Sequence, residues 1–489
     1  MSAVDLLLRN ADAVLLFLPL VAGVLLTAAP AGRATSALSA TVACSAAVLS
    51  LVVVARMLGG GAPEAMDALA AGALAVAAVV AAGGFLAAVA LAPKETPKRT
   101  RAIALGLGLV VAGASFGAIM ERDLLRIVLL LQTATLAAAA LTGLSVEKDR
   151  RAGLAAFGAV MVTLGAGALS LTGAAMLFAS SGSLDIADVA TRIRTSGAAG
   201  GAWLGAAFLI AGFGVFAGLA PVHGSAAAVT ARVSHAASPL VGIVVRLAAF
   251  IALTRVYAAT QSFPSAELAQ AFASGVAAFG ALSLVVGGLQ AIASSDARRL
   301  AAHALTAQFG CALVGLAAGG DDGVIAALFV AAAGALTALA LLVGAAVARV
   351  ESASAPMATL DGLGRTHPFV AAAVTVAALG MTGAPLTASF LGKWLSIEAA
   401  LSRGWYWAAA AIVASAFAAV FVAGQIIERL YFRERAVTFG VAPRTPWALA
   451  PALSLSVLAT VVFGWNAAAP LEAARMAASV LAPTGAAAP

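Results

Sequence analysis

Long apolar segments alternate with short polar stretches along the whole chain. Each apolar segment is about 20 residues long, the length that an α-helix needs to cross the hydrocarbon core of a bilayer. The segments begin near residues 13, 36, 68, 102, 124, 153, 201, 239, 269, 299, 323, 368, 406 and 446. The pattern therefore predicts an all-α integral membrane protein with about 14 transmembrane helices.

The composition agrees with this pattern and narrows the partners. Hydrophobic residues make up 63% of the chain and charged residues only 10%, which is too little polar surface to cover a soluble fold. The helices are rich in Ala and Gly, as in ALAAGALAVAAVVAAGGFLAAVALA, so their backbones are expected to pack closely. The net charge of +7 suits contact with the anionic lipids of a bilayer, and we predict no nucleic-acid partner.

The distribution of basic residues predicts the orientation. Most loop lysines and arginines fall in one of the two alternating sets of loops: Arg33, Lys94, Lys98, Arg99, Arg101, Lys148, Arg150, Arg151, Arg232, Arg298, Arg299, Arg349, Arg365, Arg429, Arg433, Arg435 and Arg444. This set is expected to face the cytoplasm. With an even number of helices, both termini then lie on the outer, periplasmic side of a bacterial plasma (inner) membrane. The first apolar segment follows MSAVDLLLRN and is predicted to be a retained helix, because no basic leader precedes it.

The sequence carries no pattern of catalytic chemistry. It has no P-loop, no dinucleotide-binding glycine signature and no H-E-x-x-H motif. The four histidines lack the spacing of a metal site. We therefore predict no catalytic residue, no metal and no cofactor in this chain, so that any redox or nucleotide chemistry would belong to a partner.

Two segments have the composition of broken helices. One is FGVFAGLAPVHG, with Gly218 and Pro221, and the other is LGMTGAPLTASFLGK, with Gly383 and Pro385. Glycine frees the backbone and proline removes a hydrogen-bond donor, so each helix is expected to unwind locally. Broken helices in corresponding places of two halves are the best sequence indication of a transport site.

Two motifs resemble a known family. They are SSDARRLAAHALTAQFGCALVGLAAG, residues 294–319, and GLGRTHPFVAAAVTVAALGMTGAPLTASFLGKWLSIEAAL, residues 362–401. Both resemble the antiporter-like, proton-conducting membrane subunits shared by respiratory complex I (NADH:quinone oxidoreductase), Mrp-type cation/proton antiporters and membrane-bound hydrogenases. His303 replaces the usual Tyr of the first motif, and Ser389 replaces the usual Gly of the second. A weaker match, PVHGSAAAVTARVSHAASPLVGIVVRLAAF, lacks the Trp, Pro and Asp of the family's pattern.

The resemblance implies an architecture and a set of partners. Helices 1–3 (residues 1–101) would precede two inverted five-helix repeats (102–257 and 266–435), each with a broken helix, and helix 14 with a tail (446–489) would follow. The chain would translocate protons, or cations and protons, within a multisubunit assembly. Other antiporter-like subunits, small membrane subunits and the lipid bilayer would be its partners, H+ or Na+ its ion, and a redox module an additional partner if the assembly is a redox-driven pump.

Carried over residue by residue, the family's proton path is only partly present. The twelfth-helix lysine is Lys393 and the eighth-helix position is Arg246, which cannot relay a proton by titrating. Gln132 stands where the fifth helix should carry a glutamate, and a glutamine does not ionise. The seventh-helix lysine falls at about Phe216 and the eleventh-helix lysine near Thr337, so the chain resembles a degenerate member of the family.

Four residues keep two interpretations each. Lys393 is either a buried titratable group or a snorkelling side chain, and Arg246 is either part of the ion path or a contact to a broken-helix carbonyl. His303, one turn from Arg299 at the predicted cytoplasmic edge, serves either proton uptake or packing. Gln132 is either on the path or a hydrogen-bonding contact between helices. His223 lies on a predicted loop and is expected to be solvated.

Three functions follow as hypotheses. The first is an ion-translocating subunit that relays protons through mid-membrane Lys393 and water. The second is a scaffold subunit of the same kind of assembly, in which the proton path has decayed. The third is a stand-alone secondary transporter that binds a small ion at the paired broken helices.

Overall fold

The computed structural model describes residues 8–29, 32–60, 66–95, 98–147, 149–197, 199–348, 356–434 and 447–481. The helices within these ranges are α1 (Ala11–Ala28), α2 (Arg33–Leu58), α3 (Ala68–Glu95), α4 (Lys98–Met120), α5 (Leu124–Gly143), α6 (Arg150–Ser181), α7 (Ile186–Ser196), α8 (Ala199–Phe216), α9 (Gly224–Arg232), α10 (Val245–Thr260), α11 (Ala266–Ile292), α12 (Ala297–Ala318), α13 (Gly320–Ala348), α14 (Leu363–Thr366), α15 (Pro368–Thr382), α16 (Ala388–Ser402), α17 (Tyr406–Ile427), α18 (Ala450–Trp465) and α19 (Ala468–Leu481). Short π-helices, Leu240–Val244 and Glu428–Phe432, lead into α10 and follow α17.

The described ranges contain the spans of a multi-pass membrane protein. Eleven helices are long and apolar enough to cross a membrane, and a twelfth span results if α18 and α19, which meet at a bend of 87°, are counted together. The shorter apolar helices α8 and α15 are each continued by a second short helix after a break. The prediction of an all-α membrane protein is confirmed, whereas the number of fourteen spans and the domain boundaries stay predictions.

The helices pack through small residues, as their composition predicts. A Cβ atom added to Gly280 of α11 would lie 2.8 Å from the carbonyl oxygen of Gly310 in α12, and one added to Gly310 would lie 2.6 Å from the Gly280 carbonyl oxygen. Only glycine allows the two backbones to approach this closely. Helices α10 and α12 are buried along nearly their whole length, so polar groups on them are shielded from lipid.

The second helix of each predicted repeat begins in the same way. Asp123 caps α5 by accepting from the backbone N–H of Arg126, and Asp296 caps α12 by accepting from the N–H groups of the next turn. Each of these aspartates also forms an isolated bridge to a distant loop, Asp123 with Asp185 and Asp296 with Pro356. The two halves of the chain thus share a local feature at corresponding places.

A second shared feature lies one helix further on. In the first half, a Cβ atom at Gly167 of α6 would lie 2.6 Å from Oε1 of Gln132, and in the second half one at Gly334 of α13 would lie 2.8 Å from Cβ of Gln308. In both halves a glutamine of the second helix therefore packs against a glycine of the third. The two halves therefore share two local features, while the five-helix repeats and their inverted relation stay predictions.

A buried ion pair holds α3, α4 and α10 together at one end of the bundle. The sequence pattern does not reveal this pair. Arg255 of α10 binds both carboxylate oxygens of Asp67 at 2.8 and 2.9 Å, and Arg122 adds a contact of 3.1 Å. Asp67 also caps α3 by accepting from the N–H of Ala70 at 2.7 Å. Burial by itself raises the pKa of Asp67. The hydrogen bonds and charge of Arg255, the backbone hydrogen bond from Ala70 and the charge of Arg122 outweigh burial, so the pKa of Asp67 lies below its usual value.

We expect Asp67→Asn to lower the free energy of unfolding by about 1–3 kcal/mol, the cost of leaving a buried charged donor with a poorer acceptor. Because the folded-state pKa of Asp67 is depressed, the stabilisation is present at neutral pH and is lost only as the pH falls through that lowered pKa. Thermal unfolding in detergent checks both statements. An unchanged midpoint for Asp67→Asn at pH 7 would contradict the first statement, and Asp188→Asn, which alters an exposed ion pair with Arg192 and an exposed hydrogen bond from Ser183, is the control.

A candidate ion-translocation site at two proline-broken helices

The second break separates α15 from α16. Helix α15 ends at Thr382, Gly383 adopts a left-handed conformation with φ +75°, and α16 begins at Ala388. Glycine adopts this conformation without the steric cost of a side chain. Pro385 follows and has no N–H group, so the carbonyl of Met381, four residues earlier, cannot receive its helical hydrogen bond. The break therefore presents an unpaired carbonyl oxygen to the interior.

The Lys393 side chain binds this carbonyl oxygen. Its Nζ donates to the carbonyl oxygen of Met381 at 2.7 Å, and its side chain is only 7% exposed. The aliphatic part of the side chain passes close to Gly383, where an added Cβ atom would lie 2.9 Å from Cδ. The structure thus holds Lys393 inside the bundle on a fixed acceptor, and the snorkelling interpretation is wrong.

Gln308 of α12 shares the same carbonyl. Its Nε2 donates to the Met381 oxygen at 3.0 Å, and the residue is buried. Its Oε1 has no hydrogen-bond partner among the described residues. The amide of Gln308 therefore connects α12 to the broken helix.

The first break repeats this arrangement with a different cation. Helix α8 ends at Phe216 and Gly218 has φ +68°. Pro221 lacks the N–H that would reach the carbonyl of Ala217 in a continuous helix. Nε of Arg246 donates to this carbonyl oxygen at 2.8 Å. In both halves a buried cation therefore binds the carbonyl that a proline leaves unpaired.

Arg246 is held by more contacts than Lys393. Besides Ala217, its guanidinium donates to the carbonyl oxygen of Ala302 at 2.8 Å, to Oγ1 of Thr306 at 2.7 Å and to the Gly218 carbonyl at 3.3 Å. It also lies over the ring of Phe309, 5.7 Å from the ring centre. The guanidinium is a fixed positive charge that joins the first break to α12, because arginine does not lose its proton in proteins.

The histidines form a separate pair. His303 of α12 and His223, which follows the first break, have ring centres 5.5 Å apart. Nε2 of His223 also lies 2.8 Å from Oε1 of Gln290. Both rings are buried, so the expectation that His223 is solvated is wrong: its ring is buried although Pro221, Val222 and Gly224 beside it are exposed.

The remaining candidates do not join these groups. The amide of Gln132 faces Gly167, and neither of its polar atoms has a partner among the described residues. Phe216 is buried in the apolar core. Thr337 donates to carbonyl groups of its own helix, α13. The first half thus offers no titratable side chain at these positions, and Lys393 has no carboxylate within 4.0 Å in the described part of the chain.

The fold and these breaks define the class of the protein: a multi-pass helical membrane protein with two interrupted helices, each bound by a buried cation. The sequence profile described as "NADH:quinone oxidoreductase/Mrp antiporter, TM" matches residues 121–418. The chain therefore belongs to the NADH:quinone oxidoreductase/Mrp antiporter transmembrane family, as its motifs predict. The matched region includes both breaks, Arg246 and Lys393.

Curated relatives carry the same family relation. NADH-quinone oxidoreductase subunit N 1 of Solidesulfovibrio magneticus is 34% identical over 272 residues, which is 53% of this chain and 55% of the relative. NADH-quinone oxidoreductase subunit N of Hirschia baltica is 34% identical over 133 residues, 27% of this chain and 28% of the relative. The alignment with the first of these spans about half the length of that relative.

Solved structures share the fold over nearly the whole chain. A chain of the Mrp complex from Dietzia sp. DQ12-45-1b superposes with a TM-score of 0.83 at 22% identity and covers 97% of both chains. A chain of the membrane-bound sulfane sulfur reductase, an archaeal respiratory membrane complex, gives 0.84 at 19% identity, covering 96% of this chain and 98% of the other. A chain of respiratory complex I from Thermus thermophilus gives 0.80 at 21% identity, with coverages of 96% and 99%.

Proposed function

We propose that this chain is a proton-translocating membrane subunit of a complex I-like, Mrp-like or hydrogenase-like multisubunit assembly. The observation that carries the proposal is the buried ammonium of Lys393 on the carbonyl that Pro385 leaves unpaired. An ionisable side chain inside a membrane bundle is costly and marks an ion path by default. Broken helices near the bilayer midplane are where transporters of this kind hold their ions.

Lys393 supplies the proton-binding step. Protonated, its Nζ donates to the Met381 oxygen, and neutral, it has a lone pair that accepts from a donor. The side chain thus has a hydrogen-bonding arrangement for each state, which Arg246 lacks because its guanidinium stays charged. We infer that protons pass through the second half of the chain and that the Arg246 cluster is structural.

The buried histidines mark the side from which protons arrive. His303 and His223 lie near the α12 end that Asp296 caps, and Gln308 lies further along the same buried helix and shares the Met381 carbonyl with Lys393. The two ring nitrogens of an imidazole let it donate one hydrogen bond and accept another. This arrangement along one buried helix supports proton uptake through the histidine pair, from the side that we propose to be the cytoplasm of a bacterial cell because most loop lysines and arginines fall there, with both termini outside.

The ion is a proton in preference to Na+. Hard cations are bound by several oxygen ligands, including carboxylates. Around Lys393 the described residues supply the Met381 carbonyl, the Gln308 amide oxygen and the Ser415 hydroxyl but no carboxylate, and the ammonium itself repels a second cation. The groups that are present therefore favour proton exchange at nitrogen.

Other membrane subunits are the expected partners. The curated relatives are named as subunits of NADH-quinone oxidoreductase, and the similar structures come from an Mrp complex and respiratory complexes. Purification of the tagged chain in mild detergent tests this step. We expect companion antiporter-like subunits; a redox module among them would mean a redox-driven pump of the NADH:quinone oxidoreductase type, and its absence an Mrp-type antiporter. A chain that purifies alone would contradict the proposal and favour a stand-alone transporter.

A scaffold role is the second candidate. It is favoured by Gln132, which does not ionise, and by Arg246, which is fixed by four oxygen acceptors. Under this alternative the assembly needs the chain but not the Lys393 amine. Proton flux measured in an intact assembly that carries a Lys393 variant separates the two functions.

A further inference from the structure

A small, partly enclosed cavity adjoins Lys393. Its volume is about 20 Å³, and it lies where α11, α12, α15, α16 and α17 meet. Apart from Gln308, Lys393 and Ser415, its lining consists of Ala, Gly, Leu, Val and Met residues. A cavity of roughly 10–15 Å³ or more holds one water molecule when two to four polar groups face it.

Three polar groups meet this requirement. Oε1 of Gln308 is a buried acceptor with no partner among the described residues. Nζ of Lys393 donates one hydrogen bond to Met381 and has further hydrogen-bonding capacity in either protonation state. The hydroxyl of Ser415, on α17, belongs to a buried residue that lines the opposite wall and can both donate and accept.

We propose that one water molecule is bound between Gln308, Lys393 and Ser415 and is the hydrogen-bonding partner that lets Lys393 change its protonation state. The water donates to Gln308 Oε1, which otherwise bears the cost of a buried unpaired acceptor. It accepts from the ammonium when Lys393 is protonated and donates to the amine when Lys393 is neutral. By turning between these two orientations it serves both states at a lysine that no carboxylate of the described residues contacts. Gln308 and Ser415 are then positioning residues.

The inference rests on the proposed function of Lys393, but the water site can be tested apart from it. A second cleft that reaches Lys393 does not offer the same site. It is open, has a volume of about 660 Å³, and is lined by Phe390, Trp394 and Phe417 at the lipid-facing surface. An apolar, lipid-facing cleft does not order a single water, because it supplies too few polar partners.

The chain offers a matched pair of variants for filling the cavity. Gly288 lines it, and a Cβ atom added there meets Ala418 Cβ at 3.5 Å and Ser415 Oγ at 3.8 Å, which are ordinary contacts. Gly288→Val therefore occupies the water's place without a backbone clash. Gly275 lies on the same helix with nothing within 4 Å of an added Cβ atom, so Gly275→Val is the control.

We expect Gly288→Val and Gln308→Met to lower proton flux in the reconstituted assembly by about tenfold or more, the factor for losing a hydrogen bond to a charged group, and Gly275→Val to leave it unchanged. A high-resolution map of the wild-type assembly should show one ordered water within hydrogen-bond distance of Gln308 Oε1, and the map of Gln308→Met should lack it.

Different results would overturn the water site and the proposed function of Lys393. Wild-type flux with no density at the site, or with Gly288→Val and Gln308→Met both as active as wild type, overturns the water site and leaves the role of Lys393 intact. Ordered density without proton flux in the wild type overturns the proposed function and leaves the water site as a structural one. If Gly288→Val does not assemble, Gly288→Ala and the wild-type map decide.

Discussion

Replacing Lys393 with methionine is expected to lower proton translocation by about a hundredfold or more, the range for removing a group that gains and loses a proton in the transfer step. Methionine has a similar length and keeps the apolar contact with Gly383, so the assembly should form. The measurement is proton uptake into vesicles that contain the purified assembly, driven by its own substrate or by an imposed gradient. Subunit content determined on the same sample shows whether assembly is intact.

The Lys393→Arg variant shows which property of the lysine is needed. Arginine keeps the positive charge and a donor for the Met381 oxygen but does not release its proton. If titration matters, Lys393→Arg is as inactive as Lys393→Met. If the lysine only supplies a charge to pair the free carbonyl, Lys393→Arg retains most of the flux, and the scaffold interpretation gains. Proton flux within about twofold of wild type for Lys393→Met would contradict the proposal that Lys393 takes part in proton translocation.

Much of the fold could be predicted because membrane spans are local features. A run of about 20 apolar residues specifies a crossing helix without knowledge of its neighbours. The two breaks are also local, since glycine and proline interrupt the helix by their own backbone chemistry. Counting four residues back from Pro221 and Pro385 even identifies Ala217 and Met381 as the carbonyls that lose their donors.

The partners of those carbonyls are not local, and the sequence pattern does not find them. Gln308 reaches Met381 over 73 positions and Arg246 reaches Ala302 over 56. Asp67 and Arg255 are 188 positions apart. His223 is misjudged for a related reason: the pattern indicates a turn between helices, and the turn is largely exposed, but only the packing against His303 of α12 shows that the His223 ring is buried. Gln308 has one weak sequence signal, its position on the same second-repeat helix that carries the Asp296 motif.

Replacing Arg246 with methionine is expected to lower the free energy of unfolding by about 3–6 kcal/mol. The variant leaves the carbonyl oxygen of Ala217 buried without a donor, at a cost of about 1–3 kcal/mol, and removes a charged hydrogen bond of about 1.5–3 kcal/mol to the Ala302 carbonyl, which keeps the hydroxyl of Thr306 as a donor. Thermal or denaturant unfolding of the detergent-solubilised chain checks the magnitude. Arg403→Met is the matched control, because Arg403 donates to the single carbonyl of Ala318 at 2.7 Å and is exposed, so its loss should cost about 1 kcal/mol.

The Arg246→Lys variant separates the structural role from a role in the ion path. One ammonium can reach the Ala217 oxygen but cannot span the acceptors that the guanidinium joins, so part of the stability should return. If Arg246 is structural, Arg246→Lys is more stable than Arg246→Met, and its proton flux does not exceed that of the wild type. Equal losses for Arg246→Met and Arg403→Met would contradict the structural role. If the structural role holds, the two cations have different roles. Arg246 fixes the first break with a permanent charge, whereas Lys393 binds the equivalent carbonyl of the second break with a charge that can be removed.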